Sequence, residues 1–356
     1  MQRSDMLLAA VHQLRWYPGS ISVDDREITV EGWALSAWED QDQLRFLING
    51  AAFEQIEWPL PSADLLPFFD GVRGAEHARF RCRHSLGAGS RPFEGGFARF
   101  NVTTQFGEHA HSYKTAWYLA DPDREPPMPS PAQIARVIGA PDEAAYRFGG
   151  ATLAMRLDQY LRHRFGRPVA AFDSVLDWGC GAGRLSRYLC SMSSHVTGID
   201  IDGDNIAMCA SHFPLARFLQ VDRTPPTQFG DGSFDLVFGL SVLTHLGEAS
   251  QHAWLAELRR IARPGCILLL SVQGQAQAHL YKDWGPNRPE TFRKGFHVAG
   301  INPQLDDVVA SAGYYQDVQH SHDYILATWS RYFDVLDIVP ALGCPQDVVV
   351  LQAREP

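Results

Sequence analysis

The chain has 356 residues, 45% of them hydrophobic and 20% charged, with a formal net charge of −10. That length suggests two domains with enough apolar material for two cores, and the acidic balance disfavours an extended nucleic-acid interface, which needs a basic stripe to displace phosphate counterions. No basic, apolar, small-residue pattern opens the sequence and no apolar run reaches the roughly 18 to 20 residues that cross a bilayer, so a cytoplasmic setting without membrane or nucleic-acid partners is expected.

Residues 1 to about 15 predict a short amphipathic helix with Met6, Leu7, Leu8, Val11 and Leu14 near one face. From Ile21 the pattern turns to period two, in ISVDDREITVEGWAL, QLRFLINGAAFEQI, ARFRCRHSL, GFARFNVTTQFG and HSYKTAWYLA, separated by segments rich in Gly, Pro, Asp and Ser. Several short strands without an intervening helix predict a β-sandwich over residues 1–120. Trp33, Trp38 and Trp58 are available to stack on sugar rings, or they belong to the sandwich core. The domain reads as a glycan-binding, docking or dimerisation module.

DPDREPPMPSPAQ, residues 121 to 133, carries five prolines and predicts an extended, semi-rigid linker. Two helical stretches follow, PAQIARVIGA and EAAYRFGGATLAMRLDQYLRHRFG, interrupted by Pro141 and by Gly149-Gly150; linker and helices fill residues 121–170. Ser174 to Leu176 then predicts a buried strand, ending in Asp177 and a turn, Gly179, Cys180, Gly181, Ala182, Gly183, before a helical pattern resumes at Arg184. Glycines at alternating positions permit positive φ and let a ligand approach the amides at a helix start. A second strand, SHVTGIDID, ends in Asp200, where an acid reaches ribose hydroxyls in a βαβ nucleotide fold. A third, ARFLQVD, ends in Asp222, and a fourth runs from Ser233 to a loop at Leu243 to Leu246. The helix HAWLAELRRIA leads through Arg263-Pro264-Gly265 to a fifth strand, CILLLSV. The expected architecture is an α/β, Rossmann-like domain over residues 171–356.

The acid followed by G-x-G-x-G, the acids closing the second and third strands, and the "ARPG" turn resemble the class I S-adenosylmethionine (SAM) dependent methyltransferases. The resemblance implies SAM as cofactor. Asp177 and the amides from Gly179 through Cys180 and Gly181 to Gly183 would face its methionine part, Asp200 its ribose, Ile201 an adenine face and Asp222 the adenine amino group, with Arg223 and Leu240 beside them. It also implies that the preceding helices form a lid, from which Tyr146 and Arg147 reach the methionine carboxylate or else simply pack. A nicotinamide site would place a third glycine where Arg184 stands.

After the fifth strand comes a long irregular segment with Tyr281, Trp284, Arg288, Phe296 and His297, placed to cover a substrate. DYILATWSRYF predicts a helix, and DVLDIVPALGCPQDVVVLQA the closing antiparallel hairpin that the resemblance implies. "QDVVVL" with "WSRYFDVLDIVP" resembles a methyltransferase subgroup often accompanied by glycosyltransferases, which implies a sugar hydroxyl as acceptor. Pro345 replaces the histidine common there, leaving any acceptor role of Gln346 and Asp347 open. "VEGWAL" and "INGA" resemble small sandwich modules attached to bacterial glycan-modifying enzymes.

Methylating a hydroxyl calls for a base, and His245, just past the fourth strand in SVLTHL, is the candidate because histidine titrates near neutral pH; capping or packing at a helix start is its structural alternative. His297 and His322 are the reserve bases. His109 with His111, and His320 with His322 and Asp323, invite a metal reading, but no third ligand is in view and Asp323 suits a helix N-cap, so no metal is expected. The cysteines Cys82, Cys180, Cys190, Cys209, Cys266 and Cys344 contain no C-x-x-C pair, and neither disulfides nor zinc are expected. The expected function is O-methylation of a saccharide or glycan-intermediate hydroxyl. The alternatives are N- or C-methylation of a small metabolite and SAM binding without catalysis. A homodimer is compatible with the sequence.

Overall fold

The computed structural model describes residues 15–24, 27–35, 44–67, 69, 72, 74–86, 93–94, 96–106, 109–112, 116–274, 294–303 and 313–355. The helix expected near the N-terminus, Trp38, and the loop residues Tyr281, Trp284 and Arg288 lie outside these, as do the side chains of His109 and His111. The chain divides into two compact units, residues 1–124 and 125–356.

The first unit consists of antiparallel sheets. One has β1 (Arg15–Asp24), β2 (Glu27–Leu35), β6 (Arg79–Ser85) and β5 (Gln55–Leu60) in the order β1-β2-β6-β5, and a second is ordered β10 (His109–Ser112), β9 (Val102–Phe106), β3 (Leu44–Ile48), β4 (Ala51–Ala52). A third has β11 (Trp117–Ala120), β8 (Phe97–Phe100) and β7 (Phe93–Glu94). Period-two burial on β2 turns Ile28, Val30 and Ala34 inward. The β3–β4 turn is Asn49-Gly50, both at positive φ (51° and 81°), the conformation a tight hairpin demands. Phe46 of β3 meets Phe80 of β6 at 4.4 Å and Trp58 of β5 at 5.4 Å between ring centroids, so residues of the first two sheets share one core. Trp33 packs against Phe69 at 4.9 Å. Both tryptophans are half-buried packing residues.

The second unit opens with α1 (Pro131–Ile138) and α2 (Glu143–Phe165). Ser130 and Gln133 form a reciprocal capping box that starts α1, with Pro131 at the first helical position. Pro141 separates the two helices, as expected, but α2 runs unbroken through Gly149-Gly150. The glycines serve close approach: a Cβ on Gly150 would lie 2.6 Å from the Tyr188 ring and 2.9 Å from the Arg184 carbonyl oxygen. The linker is also docked at its end. Glu125 pairs with Arg147 at 2.6 Å and accepts from Tyr188 Oη, and the Pro126 carbonyl accepts from Arg187.

A seven-stranded sheet follows, built from β12 (Val175–Trp178), β13 (Val196–Asp200), β14 (Arg217–Gln220), β15 (Phe234–Gly239), β16 (Ala262–Val272), β19 (Asp334–Val339) and β20 (Asp347–Gln352), with order β14-β13-β12-β15-β16-β20-β19. The first five are parallel, and β20 is antiparallel to both β16 and β19. This is the closing hairpin that the resemblance implied. β12 and β20 are buried almost throughout, as strands covered on both faces must be. The flanking helices are α3 (Ser186–Met192), α4 (Gly203–His212), α5 (Glu248–Ile261) and α6 (His322–Thr328). Ser321, not Asp323, caps α6, its hydroxyl accepting from Tyr324 N. A two-stranded sheet, β17 (Phe296–Ile301) and β18 (Gln316–His320), lies between β16 and α6 in the chain. Strand order reverses between β12 and β15, and ligands of open α/β sheets bind at the carboxyl ends of such a pair. No helix among the described residues is long and apolar enough to cross a membrane.

Candidate functional site

A cavity of about 420 Å³ opens at that switch point. Its floor is the turn after β12. Gly179, Gly181 and Gly183 take φ of 72°, 50° and 76°, which only glycine adopts without strain. The amides of Gly179 and Cys180 donate to the Ile199 carbonyl at 2.8 and 3.0 Å, tying the turn to β13. Gly181 lines the cavity, with nothing nearer its Cβ position than a Val137 methyl at 3.7 Å. Gly183 faces the other way: a Cβ there would sit 3.1 Å from both Cys209 and Phe213, so it packs the turn onto α4.

Two carboxylates flank the turn. Asp177, almost wholly buried, accepts from Ser186 Oγ at 2.6 Å, and burial pushes its carboxyl up to about 6 against the Ser186 bond. Asp200 accepts from Gly181 N at 2.8 Å and from Asp202 N at 2.9 Å. Burial raises its carboxyl as well, and those amides oppose the rise. Asp202 caps α4 and holds Arg136 at 2.6 Å, which brings α1 to the cavity wall.

Arg184, directly after the glycines, lines the same cavity. Burial lowers its guanidinium, and its buried Nε has no hydrogen-bond partner among the described residues. A Cβ on Gly149 would lie 2.6 Å from its Nη2, so Gly149 leaves the space this cation occupies. Tyr146 and Arg147, the expected carboxylate partners, are engaged elsewhere. Tyr146 is fully buried and donates to the Ala182 carbonyl at 2.8 Å, while Arg147 is paired with Glu125 and Glu143. A buried cation with an unpartnered Nε, a buried carboxylate and a second carboxylate thus surround the glycine turn.

The cavity also carries hydrogen-bonding groups without formal charge. Ser271 Oγ accepts from Ser241 N at 2.7 Å and donates to Gln346 Oε1 at 2.6 Å, and Ser241 Oγ donates to the same oxygen at 3.1 Å. Gln346, its amide oxygen so used, lines the cavity together with Gln273. These bonds hold Ser241 at φ 58°, a conformation disfavoured outside glycine.

His245 also lines the cavity. It lies three residues before α5, in a loop stapled by Gln251 Nε2, which donates to the carbonyls of Leu243 and Leu246 at 2.7 and 2.9 Å. Gln251 Oε1 is in turn 2.9 Å from His320 Nε2, and burial lowers that histidine to about 3, so it stays neutral. Gln316 N donates to the His245 carbonyl at 3.0 Å. The imidazole Nδ1 lies 3.0 Å from the Gln316 carbonyl oxygen and 3.4 Å from Asp317 Oδ1, and the ring stacks on Tyr315 at 4.0 Å.

Of the residues expected from sequence, Asp177, Gly179, Cys180 and Gly181 line the cavity, with Asp200, Ile201, Leu240 and His245. Gly183, Asp222, Arg223, His297 and His322 do not. β14 ends at Gln220, which leaves Asp222 exposed while Val221 forms the wall. The Arg223 carbonyl accepts from Tyr314 Oη and Trp254 Nε1, so this residue braces the wall through its backbone. His297 is half-buried on β17. His322 Nε2 is 2.7 Å from the fully buried Asp347. Sequence reading missed Arg184, Gln273, Tyr315 and the Gln316–Asp317 pair. Among the described residues no group of three His, Cys, Asp or Glu is placed to hold a metal.

Residues 175–265 match the family model described as a methyltransferase domain. The chain is 28% identical over 100 residues to a ubiquinone biosynthesis O-methyltransferase of Maricaulis maris, covering 27% of this chain and 38% of that protein. It is 30% identical over 176 residues to the O-antigen chain terminator bifunctional methyltransferase/kinase WbdD of Escherichia coli, covering 44% and 23%. With a malonyl-[acyl-carrier protein] O-methyltransferase of Erwinia billingiae it shares 28% over 149 residues, covering 40% and 58%. The chain thus spans from about a quarter to somewhat over half the length of these relatives.

Proposed function

We propose that the second unit, which carries a SAM-dependent methyltransferase domain, methylates a hydroxyl group of a saccharide or glycan intermediate. The observation that carries this reading is His245, held by its loop and by β18 at the cavity that the glycine turn also lines. When bound, SAM supplies an electrophilic methyl group on a sulfonium. Arg184 would pair with the cofactor carboxylate, Asp177 with its ammonium and Asp200 with the ribose hydroxyls, and Ile201 would pack on the adenine. Gln346 would donate to an acceptor oxygen, and His245 would take the hydroxyl proton as the oxygen gains the methyl group, S-adenosylhomocysteine being the leaving group. A free sugar hydroxyl is almost wholly protonated at neutral pH, so this proton transfer has to accompany bond formation. Gln346 and Gln273 suit a neutral, oxygen-rich acceptor, and the three relatives are named as two O-methyltransferases and an O-antigen chain terminator with a methyltransferase part.

The first unit reads as a β-sandwich accessory module for docking or glycan binding, since all the residues lining the cavity lie beyond residue 124. The test is incubation of the full chain with methyl-labelled SAM and three acceptor sets: oligosaccharides, catechols and small amines. Label on a saccharide oxygen supports the reading. Label confined to nitrogen or carbon refutes it, as does SAM binding without turnover across all three sets.

A further inference from the structure

We propose that Asp317 and the main-chain carbonyl of Gln316 are positioning groups that make His245 a base at Nε2. A carbonyl oxygen only accepts, so at 3.0 Å it requires the proton of the neutral ring to sit on Nδ1. The lone pair is then on Nε2, on the far side of the ring. Stacking on Tyr315 limits rotation about the ring axis, and the hydrogen bonds from Gln316 N to the His245 carbonyl and from Val318 N to the Thr244 carbonyl hold loop and strand in one register.

Asp317 acts when the ring takes a proton. Its Oδ1, 3.4 Å from Nδ1, is oriented by Asn302 Nδ2 at 3.2 Å, and the His245 ring is the main reason its carboxyl is held below the usual range. At 3.4 Å the carboxylate is placed to face the positive charge that develops on the ring as the acceptor hydroxyl loses its proton. Tyr315 is pushed upward by burial and stays neutral. The other charges lining the cavity are Asp177, Asp200, Asp202, Arg136 and Arg184, and of these Asp200 acts on Tyr315, the ring stacked on His245. The part of this inference that concerns catalysis rests on the hydroxyl-methylation reading, whereas the tautomer does not.

The test separates the two. In the full chain labelled with ¹⁵N-histidine, long-range ¹H–¹⁵N spectra taken above pH 8 without acceptor should show His245 with Nδ1 protonated and Nε2 bare, the signal being assigned by its loss in His245→Gln. A ring protonated on Nε2 overturns the proposal whatever the acceptor proves to be. With a working acceptor, Asp317→Asn should lower kcat about tenfold or more, as expected for part of a general-base effect. It should leave SAM affinity within about twofold and move the acid limb of the pH–rate profile down by about half a unit or more, because the imidazolium has lost its carboxylate. Asp317→Glu should return the limb toward its original position. An unmoved limb in an active Asp317→Asn enzyme refutes the role of the carboxylate, and if that variant does not fold, the limb in Asp317→Glu together with the wild-type tautomer still decides.

Discussion

Asp177 should make cofactor binding depend on pH. In the free protein its carboxyl is raised from 3.8 to about 6, chiefly by burial. A raised acid favours the folded state fully below the unfolded value, and that contribution is lost as pH rises through about 6. Two units at about 1.4 kcal/mol each amount to about 3 kcal/mol lost by neutral pH. A cationic ligand group beside the carboxylate offsets this cost, so the protein should bind SAM best with Asp177 ionised. At pH 5 about nine-tenths of the free protein would have Asp177 protonated, and affinity should fall about tenfold between pH 7 and pH 5. Calorimetric titration with S-adenosylhomocysteine, which keeps the ammonium, measures this, and buffers of different ionisation enthalpy should reveal the proton released below pH 6. Asp177→Asn should bind more weakly at pH 7 and change less than about threefold across the range, given the size expected of a single titration. A wild-type affinity flat from pH 5 to 7 would refute the pairing.

Arg184→Met should weaken cofactor binding by about 10- to 100-fold, the worth of charged hydrogen bonds to a carboxylate, with unfolding free energy unchanged or higher because a desolvated cation is gone. Gly150→Ala gains about 1 kcal/mol of helix propensity, yet the clash with the Tyr188 ring and the Arg184 carbonyl should leave it destabilised by about 1 to 2 kcal/mol in urea titration; a more stable variant would contradict the packing. His320, lowered to about 3, withholds a proton that the unfolded chain takes up near pH 6.5. Stability should therefore fall by about 2 kcal/mol between pH 7 and pH 5 through this residue, and denaturant titrations of His320→Gln should show that much less slope. A chain starting at Asp121 should keep SAM binding, whereas one starting at Ser130 loses Glu125 and with it one bond each of Arg147 and Tyr188; equal melting temperatures would refute that role.

The cofactor end of the site was legible because it is local. Strand, glycine turn and Asp200 are read from about 25 consecutive residues, and the chain order of the strands follows from their alternation with helices. The misreadings have particular causes. Gly149-Gly150 reads as a helix break when propensity alone is weighed, at about 1 kcal/mol per glycine, but Arg184 and Tyr188, which need the room, lie 34 residues or more further along. Asp222 looks like a strand-ending acid, yet β14 stops at Gln220 and the chain turns before the acid can face the cavity. Arg184 had one signal, a cation where a nicotinamide fold would put glycine. For Asp317 no local signal exists, because its partner lies 72 positions earlier and the contact depends on the register of β18 against the loop after β15.

That non-local assembly bears on which atom is methylated. Beside its charged groups, the cavity has Ser241, Gln273 and Gln346 as uncharged donors and acceptors. An amine acceptor arrives as an ammonium at neutral pH and would seek a carboxylate; the one beside His245, Asp317, is turned to that ring and to Asn302. A hydroxyl needs no counter-charge before it reacts. It needs a donor to fix its lone pairs and a base to take one proton, the roles proposed above for the Gln346 amide and His245 Nε2. Moving a carboxylate to the acceptor end, as in Gln346→Glu, should therefore weaken a hydroxyl acceptor by about 1 to 3 kcal/mol through the lost amide donors, read as a rise in KM. The same change should improve any residual turnover of amines, and a variant with unchanged KM would show that Gln346 does not touch the acceptor.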